Sequence, residues 1–193
     1  MAANFDLVGK WAALEPINSV NRSEVEDLDR RRESVAAMGG TYRRTSETAG
    51  FGPPVAIRST KSKLIVGTID NYELAGYPGV AGLNIYVDRS IGRAGLAVEA
   101  FALYVAYLFQ NGASVIHMEV LSFNIAVIKL LAKMNLHPQA TLRQHAFVAS
   151  GNWDVLVFSF TAEEWDRTVR RYGALFPSGR DAWATVKDMV LAG

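Results

Sequence analysis

The chain has 193 residues, of which 50% are hydrophobic and 20% charged, and its formal net charge is +1. This length is enough for one domain with a substantial core, and the near-neutral charge argues against binding nucleic acid by electrostatic attraction. With no cysteine and only three histidines, which lack metal-ligand spacing, we expect no disulfide, no thiol nucleophile and no metal site. We expect a cytoplasmic protein without a membrane partner, since neither a signal-peptide pattern nor an apolar run of ~20 residues is present.

The first part of the chain predicts a strand followed by a helix. Residues Phe5–Leu14 alternate loosely between apolar and polar side chains, which suits a strand. From Asn18 or Ser19 to about Ala37 the apolar residues fall on one side of a helix. Ser23 and Glu26 have the spacing of a capping box, so two helices divided near 21–23 remain an alternative.

A loop and several closely linked strands follow. Gly39–Pro54 is rich in Gly, Ser, Thr and Arg, and a loop of this length in a compact domain suits a substrate-binding lid. Val55–Ser59 and Leu64–Leu74 predict a hairpin, and the turn at Gly76–Gly79 leads into a strand at Leu83–Val87. Because these strands are consecutive and closely linked, we expect them to be antiparallel.

The most informative stretch joins the strand at Leu83–Val87 to a helix from about Ala94 to Asn111. The connecting loop, Asp88–Gly95, contains two arginines and two glycines. Free backbone N–H groups and the positive end of the helix dipole converge where such a helix begins, which suits a phosphate. Glycine lets the backbone approach a ligand closely because it has no Cβ. A tight turn without a ligand is the alternative.

The second half of the chain continues with alternating strands and helices. Gly112 is placed to end the long helix, and Ser114–Leu121 predicts a strand. Since a helix links it to the strand at Leu83–Val87, these two strands should be parallel. A helix capped by Asn124 is predicted over Ile125 to about Met134. A hairpin of Thr141–Ser150 and Trp153–Phe160 turns at Gly151-Asn152. A helix that begins with a Thr161–Glu164 capping box runs to about Tyr172, and a short helix is predicted at Asp181–Leu191.

This order of elements, with the residues of the central loop, resembles the GNAT superfamily of acyl-CoA-dependent N-acyltransferases. The pattern is most similar to its branch of ribosomal-protein N-terminal alanine acetyltransferases. The family motif is Gln/Arg-x-x-Gly-x-Gly/Ala, followed in this branch by Glu-Ala. Two alignments of the six-residue motif are possible. Arg89–Ala94 matches all six residues, whereas Gly92–Ala97 has glycine in place of the first Gln or Arg. We prefer Gly92–Ala97 because this alignment keeps the expected spacing from Val87 and is followed by Glu99-Ala100.

Further matches extend the resemblance over roughly Leu7 to Trp165. Tyr107-Leu-Phe109 matches the end of the motif helix, and Asn124 and Lys133 match the start and the end of the next helix. Asp154 with Phe158 matches the final strand, and Trp165 matches the residue that closes the family pattern. Next to Lys133 the chain departs from the family, because Asn135-Leu136 replaces the usual Gly-Phe.

The resemblance implies an α+β (α/β) protein with the GNAT fold. Its central sheet is expected to be mixed, mostly antiparallel and twisted, with helices on both sides. The fourth and fifth strands would be its one parallel pair and would splay into a V. We expect one domain over 1–193, with a C-terminal helical extension at about 172–193.

The resemblance also implies the reaction, which is transfer of an acetyl group from acetyl-CoA to a primary amine by direct attack, without a metal. Pantetheine would lie in the V like an added strand. An amide near Ile85–Val87 would polarise the thioester carbonyl, and the amides of Arg93–Leu96 would hold the pyrophosphate. The expected CoA-binding residues are Ile85, Tyr86, Val87, Arg89, Gly92, Arg93, Ala94, Gly95, Leu96, Ala97 and Asn124.

The proton donors common in this family are missing, since Val127 and Leu131 stand where relatives have serine or tyrosine. The candidates left for a general base are Glu119, His117 and His145. His117 and Glu119 are two residues apart on a strand and therefore share a face, and a carboxylate in an apolar strand needs a reason to be there.

Each of these candidates also has an ordinary structural explanation. Glu119 is also explained by a salt bridge, and the histidines by packed or surface positions. Asp70 and Glu73, on the third predicted strand, are weaker candidates for the base.

The expected partner is a small-molecule or peptide amine, and the protein is expected to be a monomer or a homodimer. Five arginines in the first helix and the following loop hint at an anionic acceptor, although a solvated helix face explains them equally: Arg30, Arg31, Arg32, Arg43 and Arg44. The alternative function is a non-catalytic GNAT-like domain that binds CoA, or nothing, and acts as a scaffold or regulator. Val127 and the Asn135-Leu136 pair favour this alternative.

Overall fold

The computed structural model describes residues 7–36, 50–88, 90, 94–148 and 151–172. In this part of the chain, eight strands form one open mixed sheet in the order β1-β2-β3-β4-β5-β6-β8-β7. The strands are β1 (Leu7–Val8), β2 (Ala12–Pro16), β3 (Val55–Ser59), β4 (Ile65–Glu73), β5 (Val80–Val87), β6 (Val115–Leu121), β7 (Ala140–Val148) and β8 (Gly151–Thr161). The helices are α1 (Arg22–Ala36), α2 (Ala94–Gln110), α3 (Ile125–Lys133) and α4 (Ala162–Tyr172).

The first predicted strand is two strands. β1 pairs antiparallel with β2, and the Gly9 N–H closes the turn between them by donating to the Ala12 carbonyl at 2.7 Å. The expectation of one strand over Phe5–Leu14 is therefore wrong. The N–H groups of the turn bind the buried carboxylate of Glu99 in α2, and no local pattern in the first residues signals this long-range contact.

The boundaries of the helices follow local chemistry. α1 is one helix that begins at Arg22, so the alternative of two helices does not occur. Gly112 follows α2 with φ of 94°, as expected for the residue after a helix. The capping box that opens α4 is confirmed, since the Thr161 N–H donates to Glu164 at 2.9 Å and the Glu164 N–H donates to Thr161 Oγ1 at 3.3 Å.

The last hairpin differs from the prediction at its turn. Gly151 and Asn152 lie in β8, where they pair with Val148 and Phe147 of β7. The Gly-Asn pair is typical of a hairpin turn, but here it begins a strand instead. The connection falls at 149–150, which lie outside the described residues, as do 37–49 of the predicted loop and the expected helix at Asp181–Leu191.

The two faces of the sheet have different partners. On one, the α2 face, buried side chains of β5, β6 and β8 such as Ala81, Ile116 and Phe158 pack in the core with α2. On the other, the α1 face, Val25 and Leu28 of α1 pack against β3 and β4. Because strand side chains alternate in direction, polar residues in the same strands fall on the α1 face beyond the cover of α1.

The parallel strands β5 and β6 pair only at their N-terminal ends. The paired residues are Val80 with Val115, Ala81 with Ile116 and Gly82 with His117. Beyond Gly82, β5 stays paired with β4 to Val87, and β6 stays paired with β8 to Leu121. The two strands therefore diverge, and the expected V is confirmed. They are the fifth and sixth strands rather than the fourth and fifth because the first predicted strand is two.

Candidate active site

The V leaves an open edge of backbone along Leu83–Val87. No strand pairs with this edge on the β6 side in the described part of the sheet, so every second residue presents its N–H and C=O to the gap. Ile85 and Val87 pack against the core on the α2 face, while Tyr86 packs against the α1 cluster on the other. Their side chains thus lie above and below the sheet, and the backbone faces the gap.

Helix α2 begins at the open end of the V. Its first residues, Ala94 to Ala97, follow β5 after a short connection, and their N–H groups lack partners within the helix. Leu96 is 5% exposed, which fixes this turn to the core. Of the other residues expected in this loop, Arg89, Gly92 and Arg93 lie outside the described residues.

Asn124 lies on the opposite flank of the gap, just after β6. It occupies the N-cap position of α3, as predicted, and its carbonyl accepts the Ile128 N–H at 3.1 Å. Its side chain makes no capping hydrogen bond. Since β5 and β6 are parallel, Asn124 and the start of α2 lie at the same end of the sheet.

His117 and Glu119 meet on the α1 face near the vertex of the V. Their side chains approach to 3.7 Å between His117 Nε2 and Glu119 Oε1, and His117 Nδ1 is hydrogen-bonded to Ser159 Oγ at 3.2 Å. The Glu119 side chain is 53% exposed, whereas that of His117 is 16% exposed. The carboxylate is thus open to an incoming molecule and the imidazole is held behind it.

A second polar pair lies across the vertex on β4 and β5. Asp70 and Asn84 are paired in register, and Asn84 Nδ2 donates to Asp70 Oδ1 at 2.9 Å. Tyr72, two residues further along β4, shares their face. Burial raises the pKa of Tyr72, and the charges of Glu119 and Asp70 raise it further. The vertex thus gathers polar groups from three strands.

Tyr72 lies across Gly82, the last residue of β5 that pairs with β6. A Cβ added to Gly82 would lie 2.2 Å from Cζ of Tyr72, so the ring occupies the space of the missing side chain. Tyr72 and Asn84 were not predicted from the sequence. The available signal is Gly82 itself, because a glycine inside a strand often marks the close approach of another group.

His145 and Glu73 lie apart from this cluster. His145 is exposed in an irregular part of β7, where the register shifts between Leu142 and Ala146. β7 is separated from β6 by β8, which places it about 10 Å across the sheet. Glu73 is exposed at the end of β4 and accepts the Gly79 N–H at 3.2 Å.

The described residues lack the features of two other kinds of site. No group of three or more His, Asp or Glu side chains there could hold a metal ion. None of the helices in the same ranges is long and apolar enough to cross a membrane.

No protein-family model matches the sequence, and no curated protein matches it either. Solved structures do match. A GCN5-related N-acetyltransferase from Brucella melitensis superposes with a TM-score of 0.68 at 21% identity, over 88% of this chain and 84% of that one. The chain has the GNAT fold. The fold class that the resemblance implied is thereby confirmed.

Other GNAT-fold neighbours come from the branch that the sequence resembles. Ribosomal-protein-S5-alanine acetyltransferase from Vibrio fischeri has a TM-score of 0.69 at 12% identity, over 83% of this chain and 98% of that one. RimJ from Mycobacterium smegmatis, solved with CoA-disulfide, has a TM-score of 0.67 at 15% identity, over 84% and 89%. At these identities the likeness concerns the fold alone.

Proposed function

We propose that the protein is an N-acetyltransferase that moves the acetyl group of acetyl-CoA to a primary amine of a small molecule or a peptide. The observation that carries this proposal is the divergence of β5 and β6 after Gly82 and His117, with α2 beginning at the open end. An extended thioester arm fits such an edge as an added strand. The M. smegmatis neighbour, which carries CoA-disulfide on the same fold, supports this assignment.

The backbone would supply most of the groups that bind acetyl-CoA, the acetyl donor. An N–H of Ile85–Val87 facing the gap would stabilise the oxyanion of the tetrahedral intermediate, worth roughly 3–4 kcal/mol by analogy with other oxyanion donors. The N–H groups of Ala94 to Ala97 and the dipole of α2 would hold the pyrophosphate. Asn124, on the other flank, would contact the pantetheine arm.

Glu119 is the base that the geometry favours. An alkyl amine is protonated at neutral pH and must lose a proton before it attacks. The Glu119 carboxylate is exposed beside the vertex, and His117 stands behind it at 3.7 Å to share the proton. Asp70 adds a second negative charge on the same face, which favours an acceptor that arrives as a cation.

Two positions favour the non-catalytic alternative. Val127, where relatives have serine, packs against the core, and Leu131, where relatives have tyrosine, is 2% exposed, so neither offers a proton. The Asn135-Leu136 pair, in contrast, no longer supports this alternative. Asn135 adopts φ of 59°, a left-handed conformation that asparagine tolerates in place of glycine, and Leu136 is an apolar residue buried in the core.

A thiol-release assay tests the proposal. Because the chain has no cysteine, a thiol reagent reports only the CoA released from acetyl-CoA. With a panel of primary amines, we expect acetyl-CoA to raise the melting temperature and at least one amine to release CoA. Binding without release for every amine would favour the non-catalytic alternative, and no binding would contradict both.

Gly95→Glu tests where the pyrophosphate lies. Gly95 is in the first turn of α2, so a carboxylate there repels the diphosphate and fills the space beside the backbone. We expect the variant to fold but to lose the melting-temperature shift with acetyl-CoA. Gln110→Glu adds the same charge at the exposed far end of α2 and should keep the shift. An unchanged shift in Gly95→Glu would place the pyrophosphate elsewhere.

A further inference from the structure

An exposed pair of aromatic side chains lies beside the open end of the V. The rings of Phe123, in the turn after β6, and Trp153, in β8, meet edge to face with 4.9 Å between their centroids. Phe123 is 42% exposed and Trp153 is 37% exposed. Aromatic rings contribute a large apolar area when a partner covers them. Two such rings side by side at the surface therefore indicate a place where an apolar group binds.

This aromatic pair lies on the α1 face, as His117 and Glu119 do. Side chains of β8 alternate in direction, so Trp153 points to the same face as Ser159, which is hydrogen-bonded to His117. Within the described chain, α2, α3 and α4 pack their buried residues into the core on the other face, and α1 packs against β3 and β4. None of these helices therefore packs its buried side chains over β6 and β8 on the α1 face.

Apolar residues join the aromatic pair to Glu119. The next residue of β6 on this face is Leu121, which pairs with Val155 of β8. Continuing this register by two residues brings Trp153 opposite Phe123, about 13 Å along the strand from Glu119. A carboxylate thus lies at one end of an apolar strip and two rings lie at the other. The strip matches a molecule with a cation at one end and an apolar group at the other.

The reacting carbon of the donor, as proposed above, lies between these two ends. Extending the register of β5 with β6 places the amides of Ile85–Val87 level with residues 120–122. These residues lie between Glu119 and Phe123. An amine beside Glu119 therefore lies next to a thioester held by these amides, while the rest of the acceptor extends along the strip toward the rings.

We propose that the acceptor is an amphipathic primary amine, whose ammonium group binds beside Glu119 and whose apolar group packs on Phe123 and Trp153. This inference rests on the proposed function and names its substrate class. The carboxylate complements the cation, and apolar area buried on the rings favours this amine over a short one. A small molecule and a peptide with an apolar residue near its N-terminus both present this chemistry.

Two matched pairs of amines test the substrate class in the thiol-release assay. n-Butylamine and 4-phenylbutylamine share the same aminobutyl chain, and the ring is too far from the nitrogen to change its basicity. The tripeptide amides Ala-Ser-Ser and Ala-Ser-Phe differ in a side chain about 7 Å from the amine. We expect kcat/KM to be about tenfold higher for the member with the ring. A preference in either pair supports the inference and identifies the source of the amine, and a preference in neither pair overturns it.

Trp153→Ala and Phe123→Ala each remove half of the aromatic pair. With the preferred amine, each should lower kcat/KM about fivefold, and with its matched partner each should leave kcat/KM within about twofold. Phe147→Ala is the control, because Phe147 is 72% exposed in the same hairpin but pairs with Asn152 and so points to the opposite face from Trp153. It should keep the wild-type preference. All three variants should keep the melting-temperature shift with acetyl-CoA, which shows that they fold.

The other outcomes separate this inference from the proposed function. An equal loss of kcat/KM for both members of a pair, or the same loss in Phe147→Ala, overturns the substrate class. So does a changed oligomeric state of Trp153→Ala in sedimentation with the preference kept, which would make the aromatic pair a surface between copies of the chain. CoA release without preference contradicts this inference alone, whereas no release with any amine contradicts the proposed function as well.

Discussion

At the scale of single residues, Glu99 shows how one side chain ties distant segments together. It is 2% exposed in α2, and its carboxylate accepts the N–H groups of Lys10, Trp11 and Ala12 at 2.9, 2.6 and 2.8 Å. Gly9 leaves room for it, because a Cβ there would lie 2.5 Å from Glu99 Cδ. The Glu of the Glu-Ala pair in the motif thus anchors the β1–β2 turn to the helix that begins at the candidate CoA site.

Glu99→Gln tests this anchor. The amide keeps the shape of the side chain but has one acceptor oxygen, and its NH₂ group faces backbone donors that are then left unpaired. We expect a loss of about 1–3 kcal/mol in the free energy of unfolding, measured by denaturant titration. Glu26→Gln, on the exposed side of α1, should change stability little. Equal effects of the two substitutions would contradict the anchoring role.

At the scale of elements, Asn71 and Tyr104 hold the segment before β3 against α2. Asn71 Nδ2 donates to the Gly52 carbonyl at 2.9 Å, and its Oδ1 accepts the Phe51 N–H at 2.7 Å. The Tyr104 hydroxyl donates to the Pro53 carbonyl at 2.7 Å. The end of the predicted Gly39–Pro54 loop is thereby fixed to β4, which carries Asp70, and to α2, which begins at the open end of the V.

Tyr104 gives the protein an alkaline pH dependence. Burial raises the pKa of Tyr104 well above its usual value, so the folded state keeps a proton that the unfolded chain loses near pH 10. The stability contributed by this group is complete below about pH 10 and is lost as the pH rises toward the folded-state pKa.

Tyr104→Phe should therefore reduce the loss of unfolding free energy between about pH 8 and about pH 11. It should also lower stability by about 1 kcal/mol at the lower pH, since the hydrogen bond to Pro53 is gone. In the variant, the free energy of unfolding should still fall with rising pH, but less steeply, because burial also raises the pKa of Tyr72 and of Tyr107. If the free energy of unfolding of the variant fell with pH as steeply as that of the wild-type protein, Tyr104 would not be the source of the alkaline pH dependence.

At the scale of the whole molecule, the gap between β5 and β6 predicts where acetyl-CoA protects the backbone. Hydrogen exchange should slow on binding in Leu83–Val87 and in the first turn of α2, because an added chain covers these N–H groups. β3 is already paired on both sides, so Val55–Ser59 should change little. Protection confined to other segments would contradict the placement of the donor in the V.

Local sequence patterns determined much of this architecture. The residues around Leu83–Val87 indicated the strand and the start of α2, and the resemblance carried by the motif and the order of elements implied the fold that the structure confirms. The Thr161–Glu164 capping box and Gly112 also act through neighbours in sequence, so their effects are readable from the chain alone. The β1–β2 turn was misread because it is held by a distant residue, Glu99. The Gly151-Asn152 pair was misread as a turn, although it lies in β8 and pairs with Val148 and Phe147.

In the candidate site, too, local patterns could be predicted from the sequence and long-range contacts could not. Two residues apart on one strand, His117 and Glu119 were predictable as a pair because side-chain direction alternates with period two. Tyr72 and Asn84 joined them only through the register of β4 on β5, and His145 was separated from them by the order of the strands. The sequence by itself predicted the backbone that we propose as the binding site for acetyl-CoA, at the end of β5 and the start of α2. The tertiary structure alone decided which side chains surround the vertex, because strand register and order are set by packing between segments distant in sequence.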